Sequence, residues 1–460
     1  MTTARLELVW PGKDKFLLVP KDETGKPIWV ERDHPAASEV RLADFVGMVG
    51  EVPEDPYAAN LLFTGDSLDV LRILCEVPEY RAIYRGKVKL VYIDPPFNTG
   101  QAFEHYDDWM EHSTWLSFMR ERLLLIRDLL APDGSVWVHL DDAEQHRMRL
   151  LMDEVFGAQC FIASFAWEKD KGRRNDTDVS TVHDHIHVYA PNPSLWAKVR
   201  NPLVRTAEQV ARYRNPDGDP RGPWLQGDNG TAKSGSDAAR FEVELPSGRV
   251  VTPPAGNFWR FSRENFDRAR AEGRVWFGRK GDSMPVIKRY LTDVKDGVVP
   301  RSWWPADEVG HNQEAKRDHL RKMFPQGAPF ATPKPERLLE RVIHIGSNPC
   351  DIVLDCFAGS GTTAAVAHKM VRRWVTAEVS PSTVETFTLP RLTKVVAGED
   401  PGGITKSAGW EGGGGFRTVA VGPSMYEDTP FGVLLAEWAT NGRFARAVAG
   451  QLGFEFQGDA

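Results

Sequence analysis

An apolar run at residues 88–93, VKLVYI, leads directly into Asp94-Pro95-Pro96-Phe97-Asn98. This segment restricts the fold more than any other in the chain. Six residues of this kind suit a buried strand. Each proline fixes its own φ and biases the residue before it toward extended backbone. The strand must therefore stop at Asp94, in a stiff stretch that enters no helix. The prolines also donate no N–H, which leaves nearby carbonyl oxygens able to accept hydrogen bonds from elsewhere. A carboxylate and a backbone carbonyl then stand as rigid acceptors beside the flat ring of Phe97. That cluster suits a planar group bearing an exocyclic amine, which would donate to the acceptors while its ring stacks on the phenyl. The plainer reading is a strand-ending turn, because Asp-Pro and Asn-Thr-Gly are common turn formers. Turns rarely need two prolines and an aromatic.

Around this segment the pattern alternates. Residues 60–74, NLLFTGDSLDVLRIL, read as a strand, a Gly65-Asp66 turn and a helix capped by Asp66 or Ser67. Residues 115–142 read as an amphipathic helix, an Asp133-Gly134 turn and a strand at 135–140. Further strands are predicted around 161–167 and 185–190. The alternation implies an α/β fold with a doubly wound, Rossmann-like sheet. From 191 to 305 it breaks into short runs punctuated by proline and glycine, which reads as an inserted domain. It returns with TPKPERLLERVIHIG and DIVLDCFAGSGTTAAVAHKM. The expected domains are an extension at 1–55, one half of the sheet domain at 56–190, the insertion at 191–305, the other half at 306–395 and a tail at 396–460. The first fifty residues give no clear pattern.

The second chemical segment is LDCFAGSGTTAAVA. A strand ends at Asp355, passes Phe357-Ala358-Gly359-Ser360-Gly361 and opens a helix at Thr362. Glycines there let the backbone approach a ligand, and the helix start presents free N–H groups. Glu378 follows at the end of the next strand, where an acid can hold ribose hydroxyls. A phosphate loop would need Gly-Lys-Ser/Thr, and the chain has Gly361-Thr362-Thr363 with no lysine. A dinucleotide fingerprint would want a third glycine where Ala364 or Ala365 stands. A nucleoside carrying an amino-acid tail instead of phosphates fits what remains, and S-adenosylmethionine has that shape. Together the two segments suggest methyl transfer to the amino nitrogen of a base.

Composition bounds the partners. The net charge of −7 hides a local excess between 200 and 301, where 19 Lys and Arg face 13 Asp and Glu. Trp224, Trp259, Trp276, Tyr213 and Tyr290 lie in the same stretch, a mixture suited to phosphate neutralisation and base stacking. A solvated, charged loop region is the plainer alternative. No apolar stretch is long enough to span a membrane, and the first residues lack the apolar core of a signal peptide. Cys75, Cys160, Cys350 and Cys356 show no metal-ligand spacing, which points to reduced thiols in the cytoplasm.

The ordered motifs resemble a known family. DPPF is similar to the Asp/Asn/Ser-Pro-Pro-Tyr/Phe motif of amino-methylating DNA methyltransferases, and FAGSG to their Phe-x-Gly-x-Gly cofactor loop. TPKPERLLERVI at 332–343 resembles their cofactor-side helix. The order of catalytic motif, insertion and cofactor motif resembles the β arrangement. RLELVWPGK, DPPFNTG, GRVWFGRKGDSMPVIKRYL, EVGHNQEAKRDHLRKMF and GWEGGGGF look like the modification subunits of type III restriction systems and their solitary relatives. The resemblance covers about residues 5–420.

It implies a methyltransferase sheet with an inserted target-recognition domain, acting on double-stranded DNA with S-adenosylmethionine. It also implies a homodimer, and a restriction subunit or other defence-system protein as partner. Asp94 would accept a hydrogen bond from the adenine amine, with the Pro95 carbonyl as second acceptor and Pro96 completing the motif. Phe97 would stack on the base and Asn98 would line its pocket. Asp355, Phe357, Gly359, Gly361 and Thr362 would surround the cofactor, and Glu378 would hold its ribose. Lys334 and Pro335 would border that site. Asp66 resembles the acid that meets the cofactor's adenine, although it is equally a helix cap. Asp141, Asp142 and the histidines of VHDHIHVYA read as structural or solvated.

The chemistry is direct displacement, which needs positioning and a preorganised field but no metal and no nucleophilic Cys356. The base must leave the stack, and the insertion is the natural reader of sequence. Cytosine-N4 methylation is the alternative, since it uses the same fold and donor. A protein glutamine or an RNA base as substrate, and a DNA-binding module with a degenerate fold, are weaker alternatives given the intact motifs and the basic insertion.

Overall fold

The apolar run that stops at Asp94 lies in the middle of a ten-stranded sheet. In chain order its strands are β1 (Ala43–Gly50), β2 (Asn60–Thr64), β3 (Val88–Ile93), β4 (Leu130–Leu140) and β5 (Phe161–Glu168). They continue with β6 (His183–Tyr189), β7 (Trp303–Trp304), β8 (Ile352–Asp355), β9 (Arg373–Glu378) and β10 (Gly415–Val421). Across the sheet the order is β7-β5-β6-β4-β3-β8-β9-β2-β10-β1. β6 and β1 run against their neighbours, while the others share one direction. The computed structural model describes residues 7–19, 26–99, 110–173, 177–226, 230–294, 296–326, 330–429, 432–440, 443–452 and 454. It has two compact units, Met1–Asn201 with Arg301–Ala460, and Pro202–Pro300.

Helices cover both faces of the sheet because strand side chains alternate. Val91 and Ile93 face a core shared with α1 (Ser67–Glu76), α2 (His112–Leu129) and α3 (Gln145–Phe156). Leu90 faces the other way, toward α4 (Glu336–Gly346), where a Cβ on Gly346 would lie 2.9 Å from it. α5 (Thr362–Lys369) and α6 (Leu389–Val396) pack on that second side. The doubly wound α/β expectation matches this arrangement. β8 comes from beyond the insertion yet pairs in parallel with β3, Leu354 opposite Val91. The carboxyl ends of the two motif-bearing strands therefore stand side by side, the place where open α/β sheets bind ligands.

Three local readings change. Residues 133–134 are no turn, because β4 runs unbroken from Leu130 with a register irregularity opposite Val88–Leu90. Gly134 permits this: a Cβ there would lie 2.8 Å from the Val88 carbonyl oxygen. β6 begins at His183, two residues before the sequence pattern suggested. The first fifty residues supply β1, which pairs with β10 and closes that edge of the sheet. GWEGGGGF runs into β10, with Gly412, Gly413 and Gly414 all at positive φ.

The second unit, Pro202–Pro300, is narrower than the 191–305 read from the pattern. Trp303 and Trp304 instead extend the large sheet beside β5. The unit has its own core of Val243, Leu245, Val251, Trp259 and Phe266. Trp224, Trp259 and Tyr290 are buried, which removes them as stacking platforms for bases. Many of its basic residues are paired internally, among them Lys288 with Asp219 and Arg274 with Asp293. Arg279 and Lys280 are exposed and form no ion pair among the described residues. Among the described residues, no helix is long and apolar enough to cross a membrane.

Candidate active site

Both motifs open into one cavity of about 630 Å³. Asp66, Asp94, Pro95, Pro96, Phe97, Lys334, Asp355, Phe357, Gly359, Thr362 and Glu378 line it. Asn98, Pro335 and Gly361 do not. Asn98 has φ 61°, and its side-chain amide is held by Glu144 at 2.7 Å and by the Met110 N–H at 2.6 Å. It shapes the turn after Phe97 instead of facing the cavity. Pro335 caps the start of α4.

Asp94 leaves the end of β3 with its two carboxylate oxygens in different situations. Oδ2 accepts from the Lys334 ammonium at 2.5 Å. Oδ1 is buried with no hydrogen-bond partner among the described residues, and an unpaired buried acceptor is costly unless a ligand fills it. The Trp115 indole donates to the Pro96 carbonyl at 2.9 Å and fixes the turn from behind. The Phe97 ring stacks on His139 at 5.9 Å and 26°, and the Lys334 ammonium lies 5.1 Å from its centroid. One cation thus touches both groups expected to meet a flat amine.

His139 belongs to a buried chain that the sequence did not reveal. The Tyr92 hydroxyl lies 2.7 Å from His139 Nδ1, and His139 Nε2 lies 3.1 Å from Asp184 Oδ2. Lys169 donates to Asp184 Oδ1 at 2.6 Å. Burial and the nearby Lys334 charge hold the imidazole below its ordinary value. Neutral His139 therefore accepts from Tyr92 and donates to Asp184. Burial alone would raise the Asp184 carboxyl, but His139, Lys169 and Lys334 outweigh it and bring it down to about 2. Asp141, Lys169, Asp184 and Asn312 also line the cavity. Asp141, read as structural or solvated, accepts the Ala143 N–H at 2.8 Å and also borders the cavity. Asp184 and Lys169 give no local signal because they meet only through the pairing of β5 with β6.

On the other side, Glu378 accepts the Gly359 N–H at 2.9 Å and the Ser380 N–H at 3.0 Å. Asp66 is a helix cap that also borders the cavity. It caps α1 through the Leu68 N–H at 2.7 Å and still lines the cavity, held by Arg122 at 2.8 Å. Arg122 is buried, 3.4 Å from the centroid of the Phe118 ring, which leans on Phe357. Burial, with the charges of Asp94 and Glu378, pushes the Asp355 carboxyl up to about 7 against hydrogen bonds from Thr363 and the Phe357 N–H. Six carboxylates and two lysines line the cavity. Such a surface attracts a cation and repels a polyphosphate.

Behind the glycine loop lies a fully buried ionic network. Arg391 donates to Thr362 Oγ1 at 2.8 Å and to Glu336 at 2.9 Å. Lys369 joins Glu336 at 2.7 Å to Asp400 at 2.5 Å, and Asp400 accepts from His319 at 2.7 Å. Glu336 stands two residues after Lys334, so one short segment touches Asp94 and supports the loop. The sequence reading missed this network because its members are scattered along the chain and polar only in type.

Gly361 was expected to meet the ligand. Instead it has φ 77°, and a Cβ there would lie 3.1 Å from the Thr388 methyl. Gly361→Val should strain the turn by roughly 1–3 kcal/mol, displace Thr362 and weaken S-adenosylmethionine binding in a folded protein. Calorimetry with a melting curve checks this, and unchanged affinity would contradict the placement of the loop.

A sheet with its ligand cavity at the joined ends of two motif strands, acid-rich and without a phosphate loop, defines a nucleoside-dependent transferase class. Residues 88–388 match the model of a family described as DNA methylase. The chain belongs to the DNA methylase family. It is 31% identical over 341 residues to the StyLTI Mod subunit, a type III restriction-modification enzyme of Salmonella typhimurium, covering 68% of this chain and 50% of that one. It is 29% identical over 456 residues to a probable type III HindVI Mod subunit of Haemophilus influenzae, covering 83% and 57%. It is 53% identical over 289 residues to the type II methyltransferase M1.MboII of Moraxella bovis, covering 63% and 83%. The chain spans about half the length of the type III relatives it matches.

Proposed function

We propose that this protein transfers a methyl group from S-adenosylmethionine to the N6 amine of an adenine flipped out of double-stranded DNA. The carrying observation is a single cavity that joins DPPF to FAGSG and leaves the buried Oδ1 of Asp94 without a partner. The residues fit the cofactor: Glu378 has the position to accept ribose hydroxyls, Asp66 can meet the adenine ring, and the carboxylates suit a sulfonium. When bound, the cofactor supplies an activated methyl group on a good leaving group. Asp94 and the Pro95 carbonyl would each accept one amine hydrogen, which makes the nitrogen more pyramidal and turns its lone pair toward the methyl carbon. Phe97, backed by His139, would hold the ring in plane.

The adenine assignment rests on Asp before and Phe after the prolines. The family includes N6 and N4 chemistry, so cytosine-N4 transfer is the second reading. Mass analysis of nucleosides after incubation with donor and unmethylated DNA decides between them: N6-methyladenine supports the proposal, and N4-methylcytosine overturns it. The proposed assembly is a homodimer in the cytoplasm with a restriction subunit as partner: the type III Mod relatives support the restriction partnership, and four free cysteines suit a reducing compartment.

Asp355 gives this reading a pH dependence. With its carboxyl raised to about 7, the empty site is protonated at pH 6 and ionised at pH 8. A cation prefers the ionised site, so cofactor affinity should rise with pH through about 7 and then level off. Calorimetry at several pH values should show this for the wild type and a flatter profile for Asp355→Asn. A pH-independent wild type would contradict the assignment.

The unit Pro202–Pro300 would read the DNA sequence. Replacing exposed Arg279 and Lys280 with alanine should weaken DNA binding and reduce its salt slope by up to about 2. Cofactor affinity should stay the same. Unchanged DNA affinity and salt slope in the folded variant would mean that these two residues do not touch DNA.

A further inference from the structure

Among the described residues, two groups outside the cavity gather three metal-ligating side chains each. The first, His319 with Glu336 and Asp400, is closed, because the Lys369 ammonium already bonds both carboxylates. The second is open. His183 and His185 stand two apart on β6, so their rings share one face of the strand. The antiparallel register of β4 and β6 places Leu140 opposite His185, and Asp142 follows just past the end of β4. Candidate ligand atoms of all three residues lie within 4.8 Å of one another.

We propose that Asp142, His183 and His185 form a binding site for a divalent first-row transition ion. Two imidazoles and one carboxylate are a donor set for zinc and its neighbours, with water completing the coordination. Tetrahedral zinc at its usual bond lengths needs ligand atoms about 3.3 Å apart. The separation of His185 Nε2 from Asp142 Oδ1 is 3.0 Å, so one edge of the tetrahedron is present and His183 closes the others by side-chain rotation. The two rings meet edge to face, with centroids 4.9 Å apart at 70°, an arrangement that lets nitrogen lone pairs converge. Asp142 is exposed and both histidines are partly exposed, so an ion and its waters can enter.

The position of the site gives it a consequence. Asp184 lies between the two histidines and faces the opposite side of β6, where it borders the cavity and bonds His139 and Lys169. Asp141, beside Asp142, also lines the cavity. An ion held by the outward residues would fix the two strand ends that carry these inward carboxylates. The inference stands apart from the methyl-transfer assignment and needs no catalytic metal.

The test is calorimetric titration of the untagged 460-residue chain with Zn2+, alongside His183→Ala, His185→Ala and Asp142→Asn. We expect one saturable site in the wild type, weakened roughly tenfold or more in each variant, by analogy with the loss of metal-site support. Co2+ should give the visible bands of a four-coordinate site in the wild type and lose them in the histidine variants. Zn2+ should raise the melting temperature of the wild type alone. Asp142→Asn, at an exposed position, keeps the test decisive if a histidine variant fails to fold. No saturable binding in the wild type, or equal affinity in the folded variants, overturns the site. The contact between His185 and Asp142 would then be a simple surface ion pair.

Discussion

Asp94→Ala should lose methyl transfer by roughly 10²–10³-fold or more, the scale of losing one preorganised hydrogen-bonding group at a reacting centre. The carboxylate is the fixed acceptor at the end of β3, and its unpartnered Oδ1 lies where an amine hydrogen would arrive. Alanine also releases the Lys334 ammonium from its bond at 2.5 Å. Asp94→Asn separates the two effects, because it keeps an acceptor oxygen while removing the charge that holds Lys334. S-adenosylmethionine affinity should change little in either variant, since Asp66, Phe357 and Glu378 remain. Near-normal turnover in Asp94→Ala would remove DPPF as the catalytic motif.

The second large effect concerns stability. Glu336→Ala removes the carboxylate that Lys369 and Arg391 share in the interior and leaves Asp400 to balance Lys369; the side chains of Glu336 and Lys369 are both 0% exposed and that of Arg391 1% exposed. Breaking a buried ion network by removing one member costs about 3–5 kcal/mol, enough to lower the melting temperature by roughly 5–15 °C. Burial alone would raise the Glu336 carboxyl, but Lys369, His319 and Arg391 hold it below its ordinary value. A depressed carboxyl contributes stability above its unfolded value that is lost as pH falls through the folded one. The difference between wild type and Glu336→Gln should therefore shrink below about pH 4. Arg391 also holds Thr362, so cofactor affinity should fall with stability. A melting temperature unchanged in Glu336→Ala would show that the network does not support the loop.

The parts legible in the sequence were those whose physics is local. Two prolines after an apolar run, and glycines between a strand and a helix, declare themselves within ten residues. The residues brought together by pairing were hidden. Asp184 reaches His139 only because β6 inserts antiparallel between β4 and β5. β1 gains its meaning from β10, far along the chain. Gly134 resembled a turn former because sequence shows a missing side chain without showing the Val88 carbonyl that requires it. Asn98 was placed in the pocket by its neighbours, while a left-handed backbone aimed its amide at Glu144. Aromatics in a basic stretch suggested stacking platforms, yet a unit of this size needs a core, and Trp224, Trp259 and Tyr290 are part of its buried interior.

The ends of the second unit are tied to each other. The Leu203 N–H donates to the Val298 carbonyl at 2.9 Å, and the Val298 N–H returns the bond to Leu203 at 2.8 Å. A segment that enters and leaves through such a paired stem has fixed its own closure, so the chain on either side meets the same two adjacent ends whatever lies between them. The segment 202–300 is in that sense a cassette. With the DNA-reading role proposed for it, the segment could be exchanged whole, bringing a new target sequence in one recombination event while the residues around Asp94 and Glu378 stay in place. A chimera cut at Leu203 and Val298 is the corresponding engineering route, with crossover points set by two hydrogen bonds.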